Sequence, residues 1–306
     1  MATDLAEIMM KGMTGERVGL LTALPILEYV PSWFPGAEYQ SEARKCRDMV
    51  ASFCDLPFSM AKRQAETGRL PRSFVLDMLE QGEAEGLYAK DIAAGIHIAA
   101  AETTSSTLKV FILTMILNPE IQDKVHEELD AVVGKGVLPT FEDRERLPYL
   151  QAVLYEVMRW HPVLPLGVPR ATTASDVVEG YHIPKGTLVI FNIWGMVNNE
   201  YSNPEHFDPT RHLTEDGRLR PDAMQDSSKY FGFGRRSCPG RFFASESLWA
   251  AAAMLLSAFR FEKAKDAFGK EIEVVPVFRR GAVSHPAPYQ CSIISRTNNV
   301  NERDRV

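Results

Sequence analysis

Cysteine is scarce in this chain, positive charge is in deficit, and long apolar runs are missing. Four cysteines occur in 306 residues, Cys46, Cys54, Cys238 and Cys291, and no two are spaced as Cys-x-x-Cys. That pattern suggests neither a zinc ribbon nor the disulfide scaffold of a small secreted domain, and it fits a reducing compartment. Asp and Glu outnumber Lys and Arg by 40 to 34, a net charge of −6, which argues against general nucleic-acid binding. No apolar stretch reaches the length of a membrane span. Met1-Ala-Thr-Asp-Leu-Ala-Glu7 lacks the pattern of a signal peptide. There is no internal repeat and no low-complexity tract, and Arg296 to Val306 reads as a polar, frayed tail. What is present is 45% hydrophobic and 24% charged, an ordinary globular balance in a chain long enough to bury a core.

Periodicity and punctuation give a helical first half and a mixed second half. Tyr29 to Gly36 is a turn-rich apolar loop, and Glu42 to Glu66 has helical periodicity. Leu70-Pro-Arg-Ser73 looks like a helix start, with Ser73 as a cap for Phe74 to Gln81. A long helix is expected from about Ala89 to Asn118, apolar on all sides and therefore buried all round. Asn118-Pro119-Glu120 opens an amphipathic helix to about Val133, closed by Gly134-Lys-Gly136. Leu147 to Trp160 is a further helix, stopped by His161-Pro162. Short β-like runs follow at Val168–Arg170, Gly180–Ile183 and Thr187–Phe191, separated by Pro and Gly. Pro204 to Pro221 reads as a polar loop, and a β-hairpin region lies around Val274 to Ile294. The expected fold class is mainly α with small β-sheets, in one domain without a linker.

The stretch Phe231-Gly-Phe-Gly-Arg-Arg-Ser-Cys238-Pro-Gly240 leads straight into an apolar helix, roughly Arg241 to Phe259. A cysteine just ahead of a helix N-terminus has its thiolate favoured by unpaired backbone N–H groups and by the helix dipole. Arg235, Arg236 and Arg241 add positive potential, and the glycines let the backbone approach something flat and large. On the residues alone three explanations stay open: an inert buried thiol, a phosphate cradle, and a thiolate that holds a metal such as haem iron. No Gly-Lys-Ser/Thr follows, and the glycine spacing does not match a dinucleotide fingerprint.

The string Phe231-x-x-Gly234-x-Arg236-x-Cys238-x-Gly240 resembles the haem-binding loop of the cytochrome P450 family of haem-thiolate monooxygenases. Four other constellations occur in that family's order. Ala99-Ala-Ala-Glu102-Thr103-Thr104 is similar to its oxygen-activation motif, with Ala100 where glycine is usual. Glu156-Val-Met-Arg159 has the Glu-x-x-Arg spacing. The same spacing recurs at Glu215/Arg218 and Glu302/Arg305, but only the first copy lies on an apolar helix ended by Trp160-His161-Pro162. Phe207-Asp-Pro209-Thr-Arg211-His212 resembles the loop whose arginine closes a structural triad with that Glu and Arg. His212 replaces a frequent aromatic and reads as a packing residue. Arg170 opens the first β-like run. The segment Gly281 to Ser292 looks like the C-terminal segment of fungal members labelled O-methylsterigmatocystin oxidoreductase-like.

The resemblance implies the C-terminal part of the cytochrome P450 fold and haem b as cofactor. Cys238 would be the axial iron ligand, and Phe231, Gly232, Gly234 and Gly240 would form the loop against the porphyrin. Arg170 and Arg236 would meet the propionates. Glu102 and Thr103 would deliver protons to dioxygen, and Glu156, Arg159 and Arg211 would form the structural triad. A hydrophobic small-molecule substrate would meet Ile98 and Ala99, Val163 to Val168, and the turn at Ala282 and Val283. Electrons would come from an NADPH-dependent reductase, for which Lys229 to Arg241, with four positive side chains and no acid, offers a local patch. Only about ninety residues precede the Glu–Thr motif, and the family's upstream Trp-x-x-x-Arg haem contact is absent. The expectation is therefore an N-terminally truncated domain without its anchor, from a parent at the endoplasmic reticulum membrane, with apolar surface left exposed. Three readings remain open at this point: a monooxygenase or its catalytic part, a non-catalytic remnant with impaired haem binding, and a haem-thiolate isomerase or dehydratase. The Glu102–Thr103 pair argues against the last.

Overall fold

The computed structural model describes residues 19–21, 23–69, 72–80, 87–279, 281 and 283–296. It divides into two compact units, Met1–Thr103 and Thr104–Val306.

In the first unit, α1 (Glu38–Glu66) is followed by α2 (Phe74–Glu80) and by the first half of α3 (Leu87–Leu117). The Ser73 hydroxyl accepts from the Leu76 N–H at 3.3 Å and so caps α2. An ion pair between Asp55 and Lys90 ties α1 to α3, and the Phe53 ring lies 5.4 Å from that of His97. The expectation that α3 is buried all round fails here. Ile92 and Ile96 are 46% and 52% exposed, whereas Val110 and Phe111 further along are buried. A helix that is apolar on every side has no face of its own to hide, so its burial follows its neighbours. In this unit they cover the side bearing Ala89 and leave the two isoleucines in solvent.

The second unit holds the rest of α3, α4 (Pro119–Val132), α5 (Pro148–Trp160), α6 (Ile193–Asn199), α7 (Ala223–Ser228) and α8 (Arg241–Ala258). Both α4 and α5 start with proline at the first helical position, where its missing N–H costs nothing and its fixed φ suits the helix. No side chain of its own caps α5. Glu128 on α4 does so instead, accepting from the N–H groups of Tyr149 and Leu150 at 2.8 and 2.9 Å. Gly134, at φ +99°, ends α4 in the left-handed region. The core gathers Phe111 and Met115 of α3, Val125 of α4, Val153 of α5, and Trp249 and Leu256 of α8, each 1% exposed or less.

The β structure is four two-stranded antiparallel pairs among the described residues. They are β1 (Arg170–Ala171) with β4 (Leu188–Val189), β2 (Asp176–Val178) with β3 (Tyr181–Ile183), β5 (Phe259–Lys263) with β8 (Cys291–Ser295), and β6 (Phe278–Arg279) with β7 (His285–Pro286). The expected single hairpin over Val274 to Ile294 is thus two ladders, and β8 pairs with a strand that leaves α8 directly. Apolar alternation marks a strand but carries no information on its partner. Helices α6 and α7 were not expected. Each is only about two turns long, too short for a periodic signal to emerge.

Gln122 shows how tightly α4 is joined to β5. Its side-chain amide accepts from the Phe261 N–H at 2.8 Å and donates to the Phe261 carbonyl at 2.9 Å, fully buried, acting as one rung of a ladder on the edge away from β8. Replacing Gln122 with Leu keeps the volume and strands both backbone groups. Each buried, unpaired group costs about 1–3 kcal/mol, so Gln122→Leu should lose about 2–4 kcal/mol in urea unfolding. A loss below about 1 kcal/mol would show that water reaches this edge.

Candidate functional site

The cysteine loop is built from two 3₁₀ turns, Lys229–Phe231 and Gly234–Arg236, before the first turn of α8. Gly232 and Gly234 have φ of +81° and +59°, which other residues adopt only at a cost. The Cys238 N–H donates to the Phe231 carbonyl at 2.7 Å and closes the loop, leaving the sulfur partly exposed. A Cβ at position 240 would lie 3.8 Å from that sulfur, so glycine keeps its surroundings open. Gly240 is also the N-cap residue of α8, and no side chain caps that end. The helix thus presents free N–H donors and its positive end beside the sulfur.

Arginines surround the loop. The Arg241 guanidinium lies 3.4 Å from the Ser237 hydroxyl and 4.5 Å from the centre of the Phe242 ring. Arg235 and Arg236 are exposed, and Arg170 is half-buried opposite Val189 on β4. Among the described residues Arg170 and Arg236 make no side-chain hydrogen bond or ion pair, so both charges are available to an anion. Lys229 corrects the expected positive patch: its ammonium pairs with Glu200 at 2.7 Å and with Asp226 at 3.4 Å. Burial pushes the Cys291 thiol up, and burial with the Asp91 charge does the same to Cys54.

The second constellation is a buried ionic network. Arg159 donates to both oxygens of Glu156 at 2.8 Å, and both residues are fully buried. Arg211 Nε lies 3.5 Å from Glu156 Oε1 as an ion pair without hydrogen-bond geometry. Other donors go to the Asn198 side-chain oxygen, which accepts from Arg159 at 3.3 Å, and to backbone carbonyls: Pro204 accepts from Arg159 at 2.8 Å, and Ser202 and Asn203 accept from Arg211 at 2.7 and 2.8 Å. The Tyr201 ring lies under both guanidiniums, at 5.6 and 5.7 Å. The expectation that His212 merely packs is corrected here: its Nε2 lies 3.1 Å from Glu156 Oε2, and it is 2% exposed. The Asp208 N–H also donates to Glu156, at 2.9 Å. Burial works against the Glu156 charge, yet the bonds from His212 and Arg159 outweigh it and hold the carboxyl below its usual range. The 3₁₀ turn Pro209–His212 explains why the role of His212 was missed while Arg211 was expected. It points successive residues, Arg211 and His212, at one carboxylate, which neither helix nor strand spacing suggests.

Glu102 and Thr103 lie in the first unit on α3, both partly buried, with the Thr103 hydroxyl donating to the Ala99 carbonyl at 2.7 Å. That back-bond is the usual way a helical Thr satisfies its oxygen, and it can bend the helix. Of the residues singled out from the sequence, the second unit therefore gathers Glu156, Arg159 and Arg211 in one network, and Phe231, Gly232, Gly234, Arg236, Cys238 and Gly240 in one loop. Of the expected substrate contacts, Ala282 lies outside the described residues.

A thiol at an uncapped helix end, on a glycine loop with unpaired guanidiniums nearby, is a donor set that fits a thiolate-bound haem with anionic propionates. The family comparison agrees. A family model described as Cytochrome P450 matches residues 3–293. The chain is 39% identical to the cytochrome P450 monooxygenase claR of Ampulloclitocybe clavipes, over 94% of this chain and 54% of that protein. It is 40% identical to the cytochrome P450 monooxygenase ple1 of Rhodocybe pseudopiperita, over 92% and 55%. It is 35% identical to the tryptamine 4-monooxygenase of Psilocybe cyanescens, over 91% and 57%. The chain belongs to the cytochrome P450 family, whose members hold haem b through a cysteine thiolate. It spans about half the length of the curated relatives it matches.

Proposed function

We propose that this chain carries the thiolate side of a monooxygenase that inserts one oxygen atom from dioxygen into a hydrophobic organic substrate. The single observation that carries the reading is the Cys238 loop: a partly exposed thiol at the free N-terminal end of α8, kept open by Gly240. The relatives' names support the reaction class. The reading treats residues 1–306 as one cytochrome P450 domain.

In this reading Cys238 is the iron ligand, and haem b, when bound, supplies the redox chemistry that activates dioxygen. Gly232 and Gly234 shape the loop, and Phe231 fixes Cys238 through its carbonyl. Arg170 and Arg236 hold the propionates. The Glu156–Arg159–Arg211 network, with His212, locks the region that precedes the loop. Thr103 and Glu102 move protons at the hydroxyl and carboxylate on α3. The electron donor is an NADPH-dependent reductase, met by the exposed Arg235 and Arg236. The endoplasmic reticulum membrane is the location we assign to a full-length parent; no helix among the described residues of this chain is long and apolar enough to cross a membrane.

The test is haem reconstitution followed by the spectrum of the reduced carbon monoxide complex. A far-red-shifted Soret band supports the reading, while a band typical of histidine-ligated or free haem, or no uptake, overturns it. The Thr103 role has its own consequence. Thr103→Ala removes the hydroxyl that bonds Ala99 and should leave oxygen consumption running while product per oxygen falls about 100-fold, the low end of the range for one positioned proton-transfer group. Coupling within twofold of the parent would count against proton delivery by this residue.

A further inference from the structure

Ser284 is the meeting point of three separate segments, and all of its polar groups are used. Its N–H donates to the Val163 carbonyl at 2.9 Å, its carbonyl accepts from the Ser106 hydroxyl at 2.6 Å, and its hydroxyl lies 2.8 Å from His161 Nε2. Ser106 is fully buried in the second half of α3, and Ser284 is 7% exposed. The His161 ring is in turn stacked on Phe278 of β6, with centroids 3.4 Å apart and planes at 14°. A junction in which every polar group of buried Ser284 is paired has one low-energy arrangement, because breaking any of these bonds strands a polar group away from water. It therefore fixes position, in addition to contributing stability.

We infer that Ser106, His161 and Ser284 form a positioning clasp that sets where Val283 and Val163 stand, and through them the size and shape selectivity of the substrate cavity. The inference rests on the monooxygenase reading, which makes those two apolar segments substrate walls. The physical argument is local. Val283 adjoins Ser284, so the Ser106 bond to the Ser284 carbonyl fixes the turn that carries Val283. The Ser284 N–H bond to the Val163 carbonyl fixes the other wall directly. His161 sits at the end of α5, where its own N–H still bonds the Val157 carbonyl at 3.1 Å. It thus transmits the rigidity of a buried helix to a short turn. Burial pushes the His161 imidazole down to about 4, so at neutral pH it takes part as the uncharged ring. None of the three touches the cysteine loop through any side-chain hydrogen bond among the described residues, so their effect on ligand choice is separable from haem ligation.

Two measurements on the full chain decide the matter. Amide hydrogen exchange without haem should show the Ser284 N–H exchanging at least about tenfold faster in Ser106→Ala, with α5 unchanged. Ser106→Thr, which keeps the hydroxyl, should restore protection. On the haem-loaded chain, imidazole and 4-phenylimidazole serve as probes of small and large reach to the same iron. Ser106→Ala and Ser284→Ala should bind imidazole within twofold of the parent and 4-phenylimidazole at least about fivefold differently. Equal changes for both probes, or none, overturn the clasp as a selectivity device, as does unchanged exchange at Ser284. A parent chain that takes up no haem overturns the monooxygenase reading and the selectivity role with it. That outcome is distinguishable, because it appears before any variant is made.

Discussion

Cys238→Ala should abolish the thiolate signature of the haem-loaded chain, while Cys46→Ala, Cys54→Ala and Cys291→Ala should leave it intact. The argument is comparative. All four thiols are half-buried, so exposure does not separate them. Environment does. Cys54 and Cys291 lie where burial favours the neutral thiol, and Asp91 adds to this for Cys54. Cys238 alone sits at the uncapped N-terminus of an 18-residue helix, with free N–H donors and unpaired arginines nearby. Removing its sulfur leaves the loop bond from residue 238 to Phe231 in place, because that bond is made by the backbone. The fold should therefore survive and only ligation be lost, with haem affinity down at least about tenfold, or about 1.4 kcal/mol. Gly240→Val is the graded companion. It puts branched carbon where a Cβ alone already comes within 3.8 Å of the sulfur, and it should weaken haem uptake with Cys238 still present. A far-red Soret band that persists in Cys238→Ala would falsify the ligand assignment.

What was legible in the sequence and what was not separates along physical lines. Helices α3, α4 and α5 are long and punctuated by Pro119, Gly134, Pro148 and His161-Pro162, and their ends fall within two residues or so of the expected ones. Propensity and caps act locally, so a sequence displays them. The partner of β8 could not be read, because pairing is decided by what lies nearby after collapse. The burial of α3 was misjudged for the same reason: apolar residues on all sides report what a helix tolerates, not what covers it. In the cysteine loop, positive-φ positions at Gly232 and Gly234 carry their own sequence mark. In the ionic network the i,i+3 spacing places Glu156 and Arg159 on one face, but nothing local announces that the Pro204, Ser202 and Asn203 carbonyls will satisfy the guanidiniums. Ser284 carried no signal at all, since serine is common in turns and its partners, Ser106, His161 and Val163, come from two distant segments.

Glu156→Gln should cost about 3–5 kcal/mol, the range for breaking a buried ion pair by removing one partner. The loss is large because Glu156 is the only carboxylate in direct contact with Arg159, Arg211 and His212 among the described residues. Without its charge, two guanidiniums are left beside the Tyr201 ring with no carboxylate among their partners. Glu156→Leu combined with Arg159→Met should be less damaging than Glu156→Leu alone, since the second change removes the charge that the first one strands. A double-mutant cycle should return a coupling of at least about 1 kcal/mol, and additivity within about 0.5 kcal/mol would mean the network is not a unit. Acid should act on it in a definite direction. The Glu156 carboxyl is held below its unfolded value near 4.5, so its stabilisation is complete above that pH and fades as pH falls through the folded value. Buried His126 and His161 act earlier. Burial lowers both from 6.5 to about 4, for His126 with help from the Arg296 and Arg260 charges, so the unfolded chain binds their protons first. Stability should therefore decline from about pH 6.5 towards 4 on account of the histidines, and steepen below 4.5 as Glu156 joins. In His126→Leu the upper part of that decline should shrink while the lower part stays. In Glu156→Gln the reverse is expected, and urea midpoints measured from pH 8 down to about pH 2.5 distinguish the two.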